Sequence, residues 1–293
     1  MEIRKAERKK AKLRLGISAP SGAGKTYSAL LMAFGMGGKV GLIDTEHGSG
    51  DLYAHLGEYD IISIEAPYTV SKYREAVKAF EAAGYTTIII DSLSHAWAGD
   101  GGLLDKQGKM ADRGTNSFAA WRTITPEHNA LVDSMLQSPC HIIATMRSKQ
   151  EYVLEMNDKG KQTPKKVGLA PVQREGMEYE FTVMLDVDMN HIASASKDRT
   201  SLFDGQMFKI EQKTGETLLK WLDSGVTPAL SDSTKADFLL TINEAENEES
   251  LKSAYLSAYK AAKAIGDQKA LDSFTKAKDA RKETISKTED VPQ

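Results

Sequence analysis

The 293-residue chain is ordinary in composition, 41% hydrophobic and 27% charged, which excludes a disordered or fibrous protein and leaves room for one large domain or a domain with an appendage. Its net charge of −3 does not mark the whole molecule as a binder of polyanions, although Arg4, Lys5, Arg8, Lys9, Lys10, Lys12 and Arg14 gather into a basic arm. Cys140 is the only cysteine, so no intramolecular disulfide and no cysteine-based zinc site can form, and the histidines show no ligand spacing. The amino terminus lacks the apolar core of a signal peptide and no run approaches membrane-spanning length, so a cytoplasmic protein with no membrane partner is expected.

Along the chain, LRLGIS (residues 13–18) reads as a short strand, followed by a glycine-rich segment and a helix over residues 27–36 closed by Gly37 and Gly38. KVGLID (39–44) and DIISI (60–64) read as strands. SKYREAVKAFEAA (71–83) is an amphipathic helix, with Tyr73, Val77 and Phe80 at helical spacing. TTIIID (86–91) has no polar alternation in its apolar part, as expected of a strand buried on both faces of a parallel sheet. A helix over 126–137 precedes the strand HIIAT (141–145), and strands alternating with helices predict an open α/β sheet.

Further on, EYVLEM and QTPKKV read as two strands around a turn at 157–161, with later strands at 182–187 and 207–210 and a short helix at 215–222. Gly225 and Pro228 mark a break. The expected division is therefore a core over 1–225, arm included, and a helical appendage over 226–293. In the latter, Leu251, Ala254, Tyr255, Ala258, Ala262 and Ile265 form one apolar face, and Leu271 and Phe274 belong to a second helix. A small helical hairpin with a flexible tail is expected there.

APSGAGKT (19–26) stands between a predicted strand and a predicted helix. It matches the phosphate-binding loop G-x-x-x-x-G-K-[ST], with Ala19 in place of the first glycine. Amides across Ser21, Gly22, Ala23, Gly24, Lys25 and Thr26 can cradle phosphates. The two glycines let the main chain curl, and the helix start adds positive potential. Lys25 can reach the β- and γ-phosphates of ATP, and the Thr26 hydroxyl can ligate Mg2+. Asp91, at the carboxyl end of a buried strand, is the second magnesium partner. Hydrolysis also needs a group to orient water. The residue after Asp91 is Ser92, so the glutamate must come from elsewhere, and Glu46, just past the second strand, is the candidate.

LIDTEHG, the Asp91-Ser92 pair and the order of these elements resemble the RecA-type recombinase core. The span 13–225 resembles the shorter, phage-encoded RecA-core ATPases of single-strand annealing recombination. The resemblance implies that Glu46 activates water. It places Thr145, within IIATMRSK, where that family has a glutamine that senses the γ-phosphate. It likens Lys197-Asp198-Arg199 to the element by which one subunit reaches a neighbour's nucleotide, so that Lys197 and Arg199, alternate residues on a strand, approach one phosphate in a homo-oligomer.

Two mobile loops contact single-stranded DNA in that family. Here the first is residues 99–116, with Lys106, Lys109 and Arg113; the second carries Arg147, Lys149, Lys159, Lys161, Lys165 and Lys166. Phe118 and Trp121, beside the first loop, are expected to pack a helix onto the core rather than to stack on bases. The appendage suits an assembly or partner-binding role, and the resemblance allows a single-strand-binding protein as that partner. The expected function is an ATPase that assembles on single-stranded DNA and promotes annealing or strand exchange. The alternatives are a helicase-like hexameric motor and a scaffold that binds ATP without hydrolysing it.

Overall fold

The computed structural model describes residues 5–156, 162–226 and 229–289, and of residues 150–168 and 287–289 it describes the backbone alone. The turn expected at 157–161, with Lys159 and Lys161, and Pro228 lie outside the described residues. The chain divides into two compact units, Lys12–Leu222 and the described residues of Met1–Ala11 with Asp223–Gln293.

In chain order the first unit contains β1 (Arg14–Ala19), α1 (Lys25–Met36), β2 (Val40–Asp44), β3 (Asp60–Ser63), α2 (Val70–Ala82), β4 (Thr87–Asp91), α3 (Ser94–Ala98) and α4 (Leu103–Asp112). It continues with α5 (Ser117–Leu136), β5 (His141–Met156), β6 (Gln162–Pro171), β7 (Val183–Val187), β8 (Ala193–Asp198), β9 (Met207–Phe208) and α6 (Gln212–Asp223). The sheet runs β3-β2-β4-β5-β1-β7-β8-β9, with β6 paired to the outer half of β5. The strands from β3 to β7 in that order are parallel, and β6, β8 and β9 are antiparallel to their neighbours. This is a mainly parallel α/β sheet between helices, as the sequence predicts.

The apolar strands bury both faces. Ile88, Ile90, Ile142 and Ala144 meet α2 and α5, whereas Ile89, Ile143, Leu15 and Ile17 meet α1 and α6. Successive side chains of a strand point to opposite faces, so a strand covered on both sides needs no polar positions. On the second face Gly35 and Gly215 bring α1 and α6 into backbone contact. A Cβ on Gly35 would stand 1.8 Å from the Gln212 carbonyl oxygen, and one on Gly215 would stand 2.1 Å from that of Met32.

Several expectations are corrected. Residues 99–116 are not one mobile loop, since α4 occupies most of the segment. Helix α5 begins at Ser117 rather than at Pro126, capped by Asn116, whose side chain accepts the Phe118 N–H, and Pro126 lies inside it. HIIAT and EYVLEM belong to one continuous strand, β5. Trp121 packs on the core as expected and stacks on Trp97 at 5.8 Å, but Phe118 is 88% exposed.

Arg14 is not part of a solvated arm. It is buried and donates to the carbonyls of Leu13, Leu136, Ser138 and Cys140, closing the carboxyl end of α5. Burial lowers its pKa to about 10.

In the second unit, α7 (Asp232–Asn243), α8 (Glu248–Ile265) and α9 (Gln268–Glu289) enclose Ile242, Leu251, Ala258, Ala262 and Phe274. The expected helical pair is α8 and α9, joined by α7, which carries too little amphipathic pattern to announce itself. Asn247 and Ser250 form a capping box at the start of α8, and Gly266 ends that helix at φ 75°. The basic arm is paired: the Lys10 N–H donates to the Val226 carbonyl and the Val226 N–H to that of Arg8, each at 2.9 Å.

Candidate active site

Parallel strands place their carboxyl ends on one edge, where loops are free to meet a ligand. On that edge β1 delivers the phosphate loop, β2 delivers Asp44-Thr45-Glu46, β4 delivers Asp91 and β5 delivers Thr145 and Arg147. The register aligns Ala19 with Arg147 and Asp44 with Asp91.

The phosphate loop has the curl its glycines permit. Gly22 and Gly24 sit at φ 83° and 86°, where a side chain would be strained. Helix α1 begins at Lys25, directly after the loop, so its free amides face the concavity. The Lys25 ammonium donates to the carbonyls of Ala19 (3.2 Å) and Pro20 (3.1 Å). Burial lowers its pKa, against the opposing pull of Asp91 and Glu46. His191, at the turn between β7 and β8, lies with Nδ1 3.1 Å from the Ala23 carbonyl oxygen.

Asp91 is the buried centre of the edge. The Thr26 hydroxyl donates to its Oδ2 and the Thr145 hydroxyl to its Oδ1, both at 2.5 Å. Burial raises the Asp91 pKa, and these two hydrogen bonds oppose the rise. The Thr26 hydroxyl and Asp91 carboxylate, already in contact, form an oxygen pair of the hard type that magnesium prefers. They fit a phosphate-bound Mg2+, which would supply positive charge to the phosphate oxygens. Thr145 is fully buried and gives its hydroxyl to Asp91, and so orients the carboxylate.

The DTEH segment divides its labour. Both oxygens of Asp44 are engaged by the turn itself, accepting the N–H of Glu46 at 2.6 Å and of Gly50 at 3.2 Å. Thr45 Oγ1 accepts the Ser92 N–H at 2.9 Å and lies 2.8 Å from His95 Nδ1, tying the turn to the residues after β4. The Asp91-Ser92 peptide there is cis.

Glu46, so held, turns its carboxylate to Ser92 and Arg147. Ser92 Oγ and Arg147 Nε donate to its Oε1 at 2.9 Å and 3.0 Å, and Arg147 Nη2 donates to its Oε2. Burial pushes the Glu46 carboxyl up, but the hydrogen bonds from Arg147 and Ser92 and the Arg147 charge hold it below its ordinary value.

Thus the structure gathers Ser21 to Thr26, Glu46, Asp91 and Thr145. It adds Thr45, Ser92, His95 and Arg147, which sequence reasoning gave no role at this site. By sequence Arg147 belongs with the basic residues of the second loop. Nothing local in TMRSK reveals that its partner lies 101 positions earlier. The glycine curl, by contrast, is legible in the motif itself.

Lys197 and Arg199 lie elsewhere. Lys197 is level with Gly16 through Met184, and the Arg199 N–H pairs with Thr182, beside Arg14. That is the amino end of β1, not its phosphate-loop end. Their side chains do converge: Lys197 Nζ and Arg199 Nη2 reach the Tyr179 carbonyl at 2.6 Å and 3.3 Å. Of the residues expected in the first nucleic-acid loop, Lys106 pairs with Glu127 at 2.6 Å and Lys109 with Asp105 at 2.6 Å, while Arg113 is exposed at the end of α4. Lys149 lies on β5 just beyond Arg147, where β5 pairs with β6. Among the described residues no helix is long and apolar enough to cross a membrane.

Among curated proteins, none matches the chain. A solved structure, a prototypical ATPase of the type III secretion system of pathogenic bacteria, is similar at 14% identity and a TM-score of 0.37, over 93% of this chain and 81% of that one. Residues 11–220 match the AAA domain family over well above half of the chain. The chain belongs to that family and carries an AAA-type P-loop ATPase domain.

Proposed function

We propose that the protein is a RecA-like ATPase that hydrolyses ATP with Mg2+ while assembled on single-stranded DNA, and that it promotes annealing or strand exchange in recombination of the phage type, in the cytoplasm of a bacterial host. The observation that carries the hydrolytic part is the convergence on one sheet edge of the phosphate loop, Asp91 with Thr26, and Glu46. Lys25 and the loop amides bind the phosphates, Thr26 and Asp91 hold the metal, and Glu46 orients the attacking water.

The nucleic-acid part rests on sequence resemblance and on exposed residues at the end of α4, the start of α5 and on β5. The exposed Phe118 ring offers a stacking surface, and the exposed Arg113 and Lys149 offer positive charge, the combination that single strands bind. Lys197 and Arg199, remote from their own phosphate loop, are assigned to a neighbour's nucleotide. That makes the active form a homo-oligomer, with a single-strand-binding protein as a further partner of the helical unit.

The test is ATP binding and turnover by the purified protein and two variants. Lys25→Ala is expected to weaken ATP binding roughly a hundredfold. Glu46→Gln is expected to keep binding while kcat falls about a hundredfold or more. Full turnover by Glu46→Gln overturns the assignment of the water-orienting group.

A further inference from the structure

Arg147 stands where two parts of the first unit meet. On one side it is in register with Ala19, at the mouth of the phosphate loop. On the other, the next residue, Ser148, begins the pairing of β5 with β6 opposite Pro171. Both strands of that hairpin are anchored at this point: the Arg147 N–H donates to Ser94 Oγ at 2.9 Å, and the Arg147 carbonyl accepts the Val172 N–H at 2.6 Å. The side chain alone leaves the strand, to take Glu46 in a two-pronged grip. Arg147 is half exposed at 49%, while Glu46 is 22% exposed, so the cation is the partner that solvent or a ligand reaches first.

We infer that Arg147 is a brake on hydrolysis, a positioning residue that holds the Glu46 carboxylate in an unproductive state until an anionic strand bound beside Lys149 draws it away. This rests on the reading of Glu46 as the group that orients water. Such a group must offer a free oxygen to the water, yet here the guanidinium engages one oxygen and shares the other with Ser92. A planar fork matched to a carboxylate is equally matched to a phosphodiester, so a nucleic-acid backbone competes for the same donors. Lys149 lies two residues on, and alternate residues of a strand share a face, so a polyanion drawn to Lys149 arrives beside Arg147. Release then frees Glu46 without moving the phosphate loop or Asp91.

Steady-state ATP hydrolysis by the full-length protein, with and without a single-stranded oligo(dT), tests this with Arg147→Ala and Arg147→Lys. The alanine variant is expected to raise kcat without DNA about fivefold, the rate equivalent of losing a half-exposed ion pair of about 1 kcal/mol. It should also bring the stimulation by oligo(dT) close to one, with KM for ATP unchanged. Arg147→Lys, which keeps the charge but not the fork, should fall between it and the wild type. Arg147→Gln gives the same readout if the alanine variant does not fold.

A fall in kcat, an unchanged DNA stimulation in these variants, or a wild type indifferent to oligo(dT) overturns the brake. The double variant Glu46→Gln/Arg147→Ala separates this from failure of the underlying reading. If it is as slow as Glu46→Gln alone, the gain in Arg147→Ala came through Glu46. If Glu46→Gln itself turns over normally, the role of Glu46 falls and the brake with it.

Discussion

Asp91 is held by two threonines, and only one of them belongs to a motif. The Thr26 contact follows from the phosphate-loop pattern, because the residue after its lysine always faces the metal position. The Thr145 contact does not, since a threonine in the middle of a buried strand reads as a neutral filler until the sheet order sets β5 beside β4. A hydroxyl that orients a metal-binding carboxylate acts at one remove from the metal. Removing such a group typically costs tenfold or more in metal affinity. Thr145→Val should therefore raise the magnesium concentration needed for half-maximal ATP hydrolysis by about tenfold, with ATP binding in excess magnesium unchanged. A magnesium titration identical to that of the wild type would show that Asp91 needs no such support. Glu46 was legible because it follows a strand and precedes a glycine turn; Arg147 was not, because ion pairs between distant segments leave no trace in local pattern.

At the scale of elements, the buried strands and the amphipathic helix α2 were legible from periodicity, whereas α4 was hidden by glycines. GDGGLLDKQGKMADRGTN carries turn residues at both ends and one inside, yet Leu103 is buried and Asp105 and Lys109 pair across one turn, which adds a little to the stability of α4. Gly35 and Gly215 carry a second hidden message, the close crossing of α1 and α6. Gly215→Ala should destabilise the protein by about 3 kcal/mol, since the Cβ meets backbone rather than a yielding side chain, and denaturant unfolding measures this.

The first residue of β5 sets a pH limit. His141 is buried, accepts the Leu13 N–H on Nδ1 at 3.0 Å, and lies close to Lys12 and Arg14. Burial, followed by the charges of Lys12 and Arg14, lowers its pKa from 6.5 to about 3. The unfolded chain therefore binds a proton that the folded one refuses. Stability from this site is complete above pH 6.5 and declines as the pH falls toward 3. His141→Gln, which keeps an acceptor for Leu13, should flatten that decline in unfolding experiments run across the same range. An unchanged slope would assign the acid sensitivity elsewhere.

For the whole molecule, the α/β class was legible from alternating strands and helices, and the helical character of the carboxyl-terminal part from composition and one apolar face. Sheet order was not legible, because nothing local says that β5 enters between β1 and β4. That insertion is what sets Thr145 and Arg147 beside the phosphate loop. Assembly belongs to this scale as well. If Lys197 and Arg199 complete a neighbour's site, a mixture of Lys25→Ala and Lys197→Ala/Arg199→Ala should hydrolyse ATP faster than either variant alone, because mixed interfaces restore one intact site. Activity no higher than the average of the two would confine the site to a single chain.

Whether that site works on a single strand is read from steady-state ATP hydrolysis by the purified wild-type protein with and without single-stranded DNA in the presence of magnesium. Turnover that rises several-fold with DNA, and vanishes in Lys25→Ala, is the result this account predicts. Turnover that ignores DNA would leave an ATPase in place and contradict its assignment to recombination.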